Sequence, residues 1–457
     1  PELRSFGTAE INIVPIVKPM TKYAEMITDP KMIKYHLEKA YFFATEGRPG
    51  PVWLDIPHDI QNALVETSKL KSFKKQSIKK NKYSNKQLLK IIRAFKNAEK
   101  PIIIAGSGIR LSGSIPLFKD LINKIGCPVV TARLGNDMLP FSNKYNIGLA
   151  GIKGRKLTNA LIKKADFILV LGSRLAIPFV GDKLNIFNKK AKIAVIDISE
   201  SELFKPGVHI DYPLLANVND FIKEFLKKSN GLISPSKAEW LKYCQNIKKV
   251  NFFENENYKR DPIDLYYFMS RLDKLSGKNN VLVTDAGSNY YVGGQVFKFE
   301  KEQREITSGA FAAMGLSIPL AIGASVADRK KQILAVTGDG SLELNIQELK
   351  TMSYYKFNVK LFVINNNGYL SMRKWQDTYF KGRRIGSDND TGAEVLNLKK
   401  VAEAFDLNYE IIKSWKEVDS KLKKIMQKPG PLFVEVVCDD KQEILGPVNK
   451  IPSYDKN

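Results

Sequence analysis

Short runs of consecutive apolar residues alternate with segments of helical period along most of the chain. Positions 101–105, 127–131, 167–172 and 192–197 read as strands that are apolar on both faces, separated by helix-like stretches such as 115–125. The same alternation returns at 280–284, 332–337, 359–364 and 431–437. Strands without a polar face belong to parallel sheets covered by helices on both sides. The pattern therefore predicts an α/β protein with doubly wound parallel-sheet domains in series. Ahead of them, Met32, Leu37, Ala40, Tyr41 and Ala44 share a helical face, followed by the turn Gly47-Arg48-Pro49-Gly50 and a strand at 51–57. One helix and one strand are too little for a domain, so this piece is expected to be part of an incomplete first α/β unit.

Two polar stretches divide the chain. Residues 69–82 carry Lys71, Lys74, Lys75, Lys79 and Lys80 with almost no hydrophobic period, and 227–235 precedes a helix-like segment around Trp240. The expected organisation is a first-domain remnant at 1–66, a linker at 67–84, a central Rossmann-like domain at 85–228, a linker at 229–262 and a last domain at 263–457.

Composition narrows the class without naming it. The 457 residues are 44% hydrophobic and 26% charged, which excludes wholesale disorder, and no apolar run approaches the roughly 18 residues of a membrane helix. Three cysteines and three histidines, all far apart, exclude a disulfide framework and argue against a zinc hydrolase. A cytoplasmic protein is expected. Lys plus Arg total 72 against 48 acidic residues, a formal charge of +24. The excess is mostly lysine spread along the chain, with no arginine-rich stripe, so a solvated surface is expected rather than nucleic-acid binding. The first residue is Pro1, with no initiator methionine or targeting segment, which suggests entry in the middle of a domain.

The chemistry gathers at two strand ends. Positions 333–337 run straight into Gly338-Asp339-Gly340-Ser341, and 359–364 into Asn365-Asn366-Asn367-Gly368-Tyr369. Open α/β sheets bind ligands at the carboxyl ends of their strands. Asp339 offers an anionic oxygen and Asn366 a neutral one, a pair suited to a Mg²⁺ that takes further oxygens from water and phosphates. Gly338 and Gly340 let the backbone come close to a diphosphate, and Ser341 opens a helix whose amides favour anions. Either motif alone reads better as an ordinary turn after a strand. Together, with Asp339 and Asn365 26 residues apart, they resemble the thiamine diphosphate motif.

Further segments resemble acetolactate synthase-like members of the thiamine diphosphate-dependent family, over nearly the whole chain. Lys18-Pro19-Met20-Thr21-Lys22-Tyr23 and Gly50-Pro51-Val52-Trp53-Leu54-Asp55-Ile56-Pro57 are similar to the end of the family's pyrimidine-binding domain. Thr307-Ser308-Gly309-Ala310-Phe311-Ala312-Ala313-Met314-Gly315 resembles the loop that holds the cofactor in a V shape. The resemblance implies Asp339, the Asn366 side chain and the Gly368 carbonyl as Mg²⁺ ligands, and Met314 as the wedge between the cofactor rings. It implies the Ala312 carbonyl as the acceptor for the pyrimidine amino group. Gly287, Ser288, Asn289 and Tyr369 join Gly338, Gly340 and Ser341 as cofactor contacts. Trp375, in Leu370-Ser371-Met372-Arg373-Lys374-Trp375-Gln376, matches a tryptophan of the acceptor pocket; a helix-face aromatic in the core is the competing expectation.

By this resemblance the expected reaction is decarboxylation of a small 2-oxo acid with carboligation. The alternatives are a decarboxylase that releases an aldehyde, a carbon–carbon-cleaving lyase or hydrolase on a sugar-like ketone, and a catalytically silent cofactor-binding subunit. A homodimer or homotetramer with the active site at the subunit interface is implied. The family's catalytic Glu is expected upstream of Pro1, so this chain alone is expected to be inactive. FAD is the doubtful cofactor. Gly148-Leu149-Ala150-Gly151-Ile152-Lys153-Gly154 partly matches the flavin-side segment, yet Leu175-Ala176-Ile177-Pro178 stands where the family has Phe-Asp-Asp-Arg. A central domain that only packs the dimer is the favoured expectation. The acceptor is left open by Leu370 and Ser371, which replace Gly and Met, and by Thr8-Ala9-Glu10, where relatives commonly have Gln before the Glu.

Overall fold

A computed structural model describes residues 11–75, 83–155, 157–181, 190–229, 231–249 and 258–446. Thr8-Ala9-Glu10, the Lys79-Lys80 part of the first linker, positions 230 and 250–257 of the second, and 447–457 lie outside them. The first strands are β1 (Ala24–Met26) and β2 (Trp53–Asp55), followed by β3 (Pro101–Ala105), β4 (Val129–Thr131), β5 (Asn146–Leu149), β6 (Phe167–Leu171), β7 (Lys192–Asp197) and β8 (Tyr212–Leu215). Next come β9 (Asn280–Thr284), β10 (Arg304–Thr307), β11 (Gln332–Gly338), β12 (Val359–Asn365), β13 (Tyr409–Ile412) and β14 (Leu432–Val437). β1 and β2 pair parallel to each other. The central strands form a six-stranded sheet in the order β5-β4-β3-β6-β7-β8, and the last six one in the order β10-β9-β11-β12-β14-β13. Every pairing in these sheets is parallel. The fold is the serial doubly wound α/β arrangement that the apolar runs predict.

Strand alternation divides each sheet between two cores. Ile103 and Ala105 of β3 face one cluster with Phe118, Leu121 and Phe225, while Ile102 and Ile104 face another with Leu161 and Trp240. In the last domain, Leu334 and Phe362 point to one side, and Ile333 and Leu361 to the other. Helices close over both faces and are bounded as their ends dictate. Ser84 and Gln87 make a capping box on Asn85–Asn97, and Gly126, at φ 62°, ends Ile115–Ile125 in the left-handed conformation. Among the described residues no helix is long and apolar enough to cross a membrane.

Within the second expected linker, Pro235–Lys249 is a helix attached to the central domain. Trp240 and Cys244 sit in its core, and the Trp240 indole N–H donates to the Pro101 carbonyl at 2.9 Å. The lysine-rich surface of this segment hides the aromatics that bind it, Trp240 in the core with Tyr243 stacked on it.

Charges join the central and last domains. Arg133 pairs with the buried carboxylate of Glu305, lies 4.4 Å from the Tyr290 ring centre and donates to the Tyr290 carbonyl at 3.0 Å. Asp137 takes Arg110 at 2.6 Å and Arg304 at 2.8 Å.

The central sheet reverses direction between β3 and β6, and there Gly108 and Gly172 pack backbone on backbone. Gly172 has φ 56°, and a Cβ on it would stand 2.6 Å from the Gly108 Cα. Gly172→Ala should therefore cost more than about 2 kcal/mol, against about 1 kcal/mol for Gly277→Ala, which adds only the left-handed penalty in open space. Chemical denaturation of the two variants checks the difference.

Candidate active site

Because the last sheet is parallel, the carboxyl ends of β9, β10, β11 and β12 open on one edge. Asp285, Thr307, Gly338 and Asn366 stand at or just beyond those ends.

Asp339 opens a short helix, Asp339–Leu342, and is 2% exposed. Its Oδ1 accepts the Gly340 N–H at 2.8 Å, and its Oδ2 accepts the N–H groups of Asn366 and Gly368, each at 3.0 Å. The carboxylate thus ties the two motifs together directly. Burial pushes its carboxyl above the usual carboxylate range, and the three amides only partly oppose this. The Asn366 side chain is buried with no hydrogen-bond partner among the described residues. The Gly368 carbonyl accepts the Leu370 N–H at 3.1 Å, which leaves it a second lone pair. Gly340 is required by Tyr369, whose ring covers it so closely that a Cβ would run into the ring.

Asp285 is fully buried at the end of β9. Its Oδ2 accepts the hydroxyls of Thr337 at 2.9 Å and Ser341 at 2.6 Å, and its Oδ1 accepts the Ala286 N–H at 2.7 Å. Its backbone carbonyl takes the Ser308 hydroxyl. Ser341 is therefore committed inside the protein, since its oxygen also accepts the Gly315 N–H at 2.8 Å. Ser308 and Ser341 pin the two ends of the loop that carries Ala312 and Met314. Between them the backbone passes through a 3-10 turn, Gly309–Phe311, and Ala312 turns left-handed at φ 47°. Met314 is left 42% exposed beside the edge.

The helix Gly287–Val296 starts at the same edge with Ser288 and Asn289 in its first turn. The Asn289 Nδ2 reaches Asp285 at 3.4 Å, while its Oδ1 is buried and unpartnered. Trp375 lies on the helix Leu370–Tyr379, is 61% exposed and packs against Tyr379 with centroids 4.7 Å apart and the rings tilted by 36°. It is not a core aromatic.

Arg373, on the same helix, is a site residue that motif reading passes over. Its guanidinium is 4% exposed and donates to the carbonyls of Asn366 at 2.7 Å, Asn367, Ser387 at 3.0 Å and Asp440 at 3.2 Å. It holds the loop after β12 by its backbone. Asp285 was visible only as an acid preceding Ala-Gly at a strand end, in the manner of Asp339. A buried acid with orphan amide oxygens beside it, glycine-lined backbone and a helix start form a fitting cradle for a divalent cation and a diphosphate.

Comparison with known proteins agrees with this architecture. Residues 285–436 match the family model described as the thiamine pyrophosphate enzyme C-terminal TPP binding domain, and 88–225 match the central domain of the same enzymes. The fold is that of a thiamine diphosphate-dependent enzyme. The acetolactate synthase large subunit of Lactococcus lactis is 30% identical over 439 residues, covering 95% of this chain and 74% of the relative. A probable acetolactate synthase large subunit of Methanocaldococcus jannaschii is 29% identical over 94% of the chain and 73% of its own length. For the large subunit of isozyme 1 in Escherichia coli the identity is 27%, over 95% and 75%. The chain belongs to the acetolactate synthase large-subunit family of thiamine diphosphate enzymes.

Arg373→Met takes a donor from four carbonyls, of which Ser387 keeps the Tyr369 N–H, so stability should fall by about 3 kcal/mol. Arg373→Lys should recover part of it. Thermal unfolding of both variants measures the effect.

Proposed function

We propose that this protein is a thiamine diphosphate- and Mg²⁺-dependent carboligase that decarboxylates a 2-oxo acid and joins the fragment to a second carbonyl compound. The observation that carries this reading is the buried Asp339 carboxylate, which among the described residues is bound only by backbone amides and lies beside an Asn366 amide without a partner there. The Asp339 carboxylate, the Asn366 side-chain oxygen and the Gly368 carbonyl would hold the metal. Ser288, Asn289 and the backbone of Gly338 and Gly340 would meet the diphosphate, with Gly287 and Tyr369 shaping the walls. Ser341 contributes by fixing Gly315 rather than by touching the cofactor with its hydroxyl.

Bound thiamine diphosphate supplies a nucleophilic carbon and an electron sink for 2-oxo acid chemistry. The protein's part is to position and to exclude water. Met314, on a loop anchored at both ends, is presented for wedging between the cofactor rings, and the Ala312 carbonyl stands in the same loop for the pyrimidine amino group. Trp375 would wall the acceptor pocket from the other side, with Leu370 and Ser371 changing its shape. The exposure of Phe311 (94%), Leu344 (52%) and Trp375 (61%) around this edge supports a second subunit closing the site, in a homodimer or homotetramer.

A flavin is not part of this reading. At the carboxyl edge of the central sheet, Arg48 reaches Asp197 at 3.3 Å and Glu202 at 3.0 Å, so the acids there already have partners. Packing is the role we assign to that domain.

Asp339→Ala should weaken Mg²⁺-dependent thiamine diphosphate binding by roughly 100-fold, as measured by calorimetry. Unchanged affinity would refute the metal role. Incubating the full-length protein with thiamine diphosphate, Mg²⁺ and pyruvate should release carbon dioxide and yield a condensed hydroxy-keto acid. An aldehyde as the sole product would replace carboligation by simple decarboxylation.

A further inference from the structure

A cavity lined by cationic side chains lies between the two large domains, at the far end of the helix Gly287–Val296 from Ser288 and Asn289. That helix has ten residues, so the two places are on the order of 15 Å apart. The cavity has a volume of about 460 Å³ and is walled by Phe141, Lys144, Arg155, Lys248, Lys249 and Lys298 among others. The loop before β5 supplies Phe141 and Lys144, the helix Pro235–Lys249 supplies Lys248 and Lys249, and Lys298 follows the helix of the thiamine-binding domain.

Its charges are built in. The Phe141 ring carries the Arg155 guanidinium at 4.4 Å and the Lys248 ammonium at 4.3 Å from its centre. Arg155 donates to the carbonyls of Val296 at 3.2 Å and Phe297 at 3.0 Å, while its Nε is buried without a partner. Lys248 donates to the carbonyls of Phe141 and of Asn143, the latter at 3.1 Å. Both cations are held in place by neutral oxygens rather than by ion pairs, and the two nearby acids, Glu300 and Asp273, offset their charge only in part. Glu300 is engaged by the Ser142 hydroxyl and N–H, and Asp273 accepts the Lys298 N–H at 3.3 Å. Burial pushes Asp273 up to about 6, which reduces its power to neutralise the site. Burial and the charge of Arg155 push Lys248 down to about 8. Like charges collected in a partly enclosed space repel, and that cost is relieved by a bound anion.

We propose that this interdomain cavity binds a phosphate-bearing anion of the di- or triphosphate class, separately from the thiamine site. The lysines and Arg155 would take the phosphate oxygens, and contact with both domains would let the anion stiffen their junction.

The test uses the full-length protein loaded with thiamine diphosphate and Mg²⁺ and freed of the excess, so that the diphosphate cradle is filled and no free diphosphate competes for the cavity. Trinitrophenyl-ATP is titrated by fluorescence, and the bound probe is challenged with inorganic tripolyphosphate or with adenosine. Saturable binding displaced by tripolyphosphate is expected. Lys144→Gln combined with Lys248→Gln should weaken it roughly tenfold or more, and Lys144→Arg should leave it intact. Ligand-free melting temperatures identify any variant that has lost its fold. Lys249→Gln and Lys298→Gln then serve as a second pair with the same expected loss. No saturable binding, displacement by adenosine alone, or affinity unchanged in both folded double variants would each overturn the proposal.

Discussion

The site depends on a buried acid that has no cation beside it among the described residues. Asp285 is satisfied by three hydroxyls, from the end of β11, the turn after it and the loop after β10, and by the N–H of its own neighbour Ala286. A carboxylate removed from water is tolerated only when its oxygens are filled by donors. Thr337, Ser341 and the Ala286 N–H meet that demand, the two hydroxyls flanking Gly338 and Gly340 of the site, while Ser308 holds the Asp285 backbone carbonyl. The position of Asp339 and the course of the Met314 loop follow from how Asp285 is solvated.

Arg373 does the complementary work on the other side. There a buried guanidinium gathers four carbonyls, so the loop after β12 is fixed through its backbone and its side chains stay available. Asp339 lies between these two hubs and receives only amides. The arrangement leaves the Asp339 carboxylate without an ion pair among the described residues, Arg373 acting on it only through space. This supports the assignment of a divalent metal there.

The helix Gly287–Val296 links this edge to the domain junction. Its first turn faces the cradle, its last carbonyls are capped by Arg155, and its Tyr290 carries Arg133 in the buried pair with Glu305. One helix thereby sets the distance between the proposed catalytic site and the interdomain cavity. A parallel sheet makes this possible because the strand and helix ends of one sense all lie on one edge.

Much of this was legible in the order of residues. Apolar runs at fixed intervals announced parallel strands, since a strand buried on both faces admits no polar alternation. Gly338-Asp339-Gly340 and Asn366-Asn367-Gly368 announced a ligand edge only as a pair at their spacing, since either alone is also an ordinary turn after a strand. Local pattern could not reveal which acids and bases would be solvated by which distant donors. Asp285 and Arg373 look ordinary in the chain, and Ser341 looks like a cofactor contact. Trp240 sits in a stretch as polar as a linker, yet it anchors a helix to the central core. Each of these outcomes was decided by partners far away in sequence: Asp285 by Ser308 and Ser341, Arg373 by Asp440, and Trp240 by Pro101. Hydrophobic period is a property of neighbours along the chain and is written there. The pairing of buried polar groups is a property of the folded interior, and only the tertiary structure decides it.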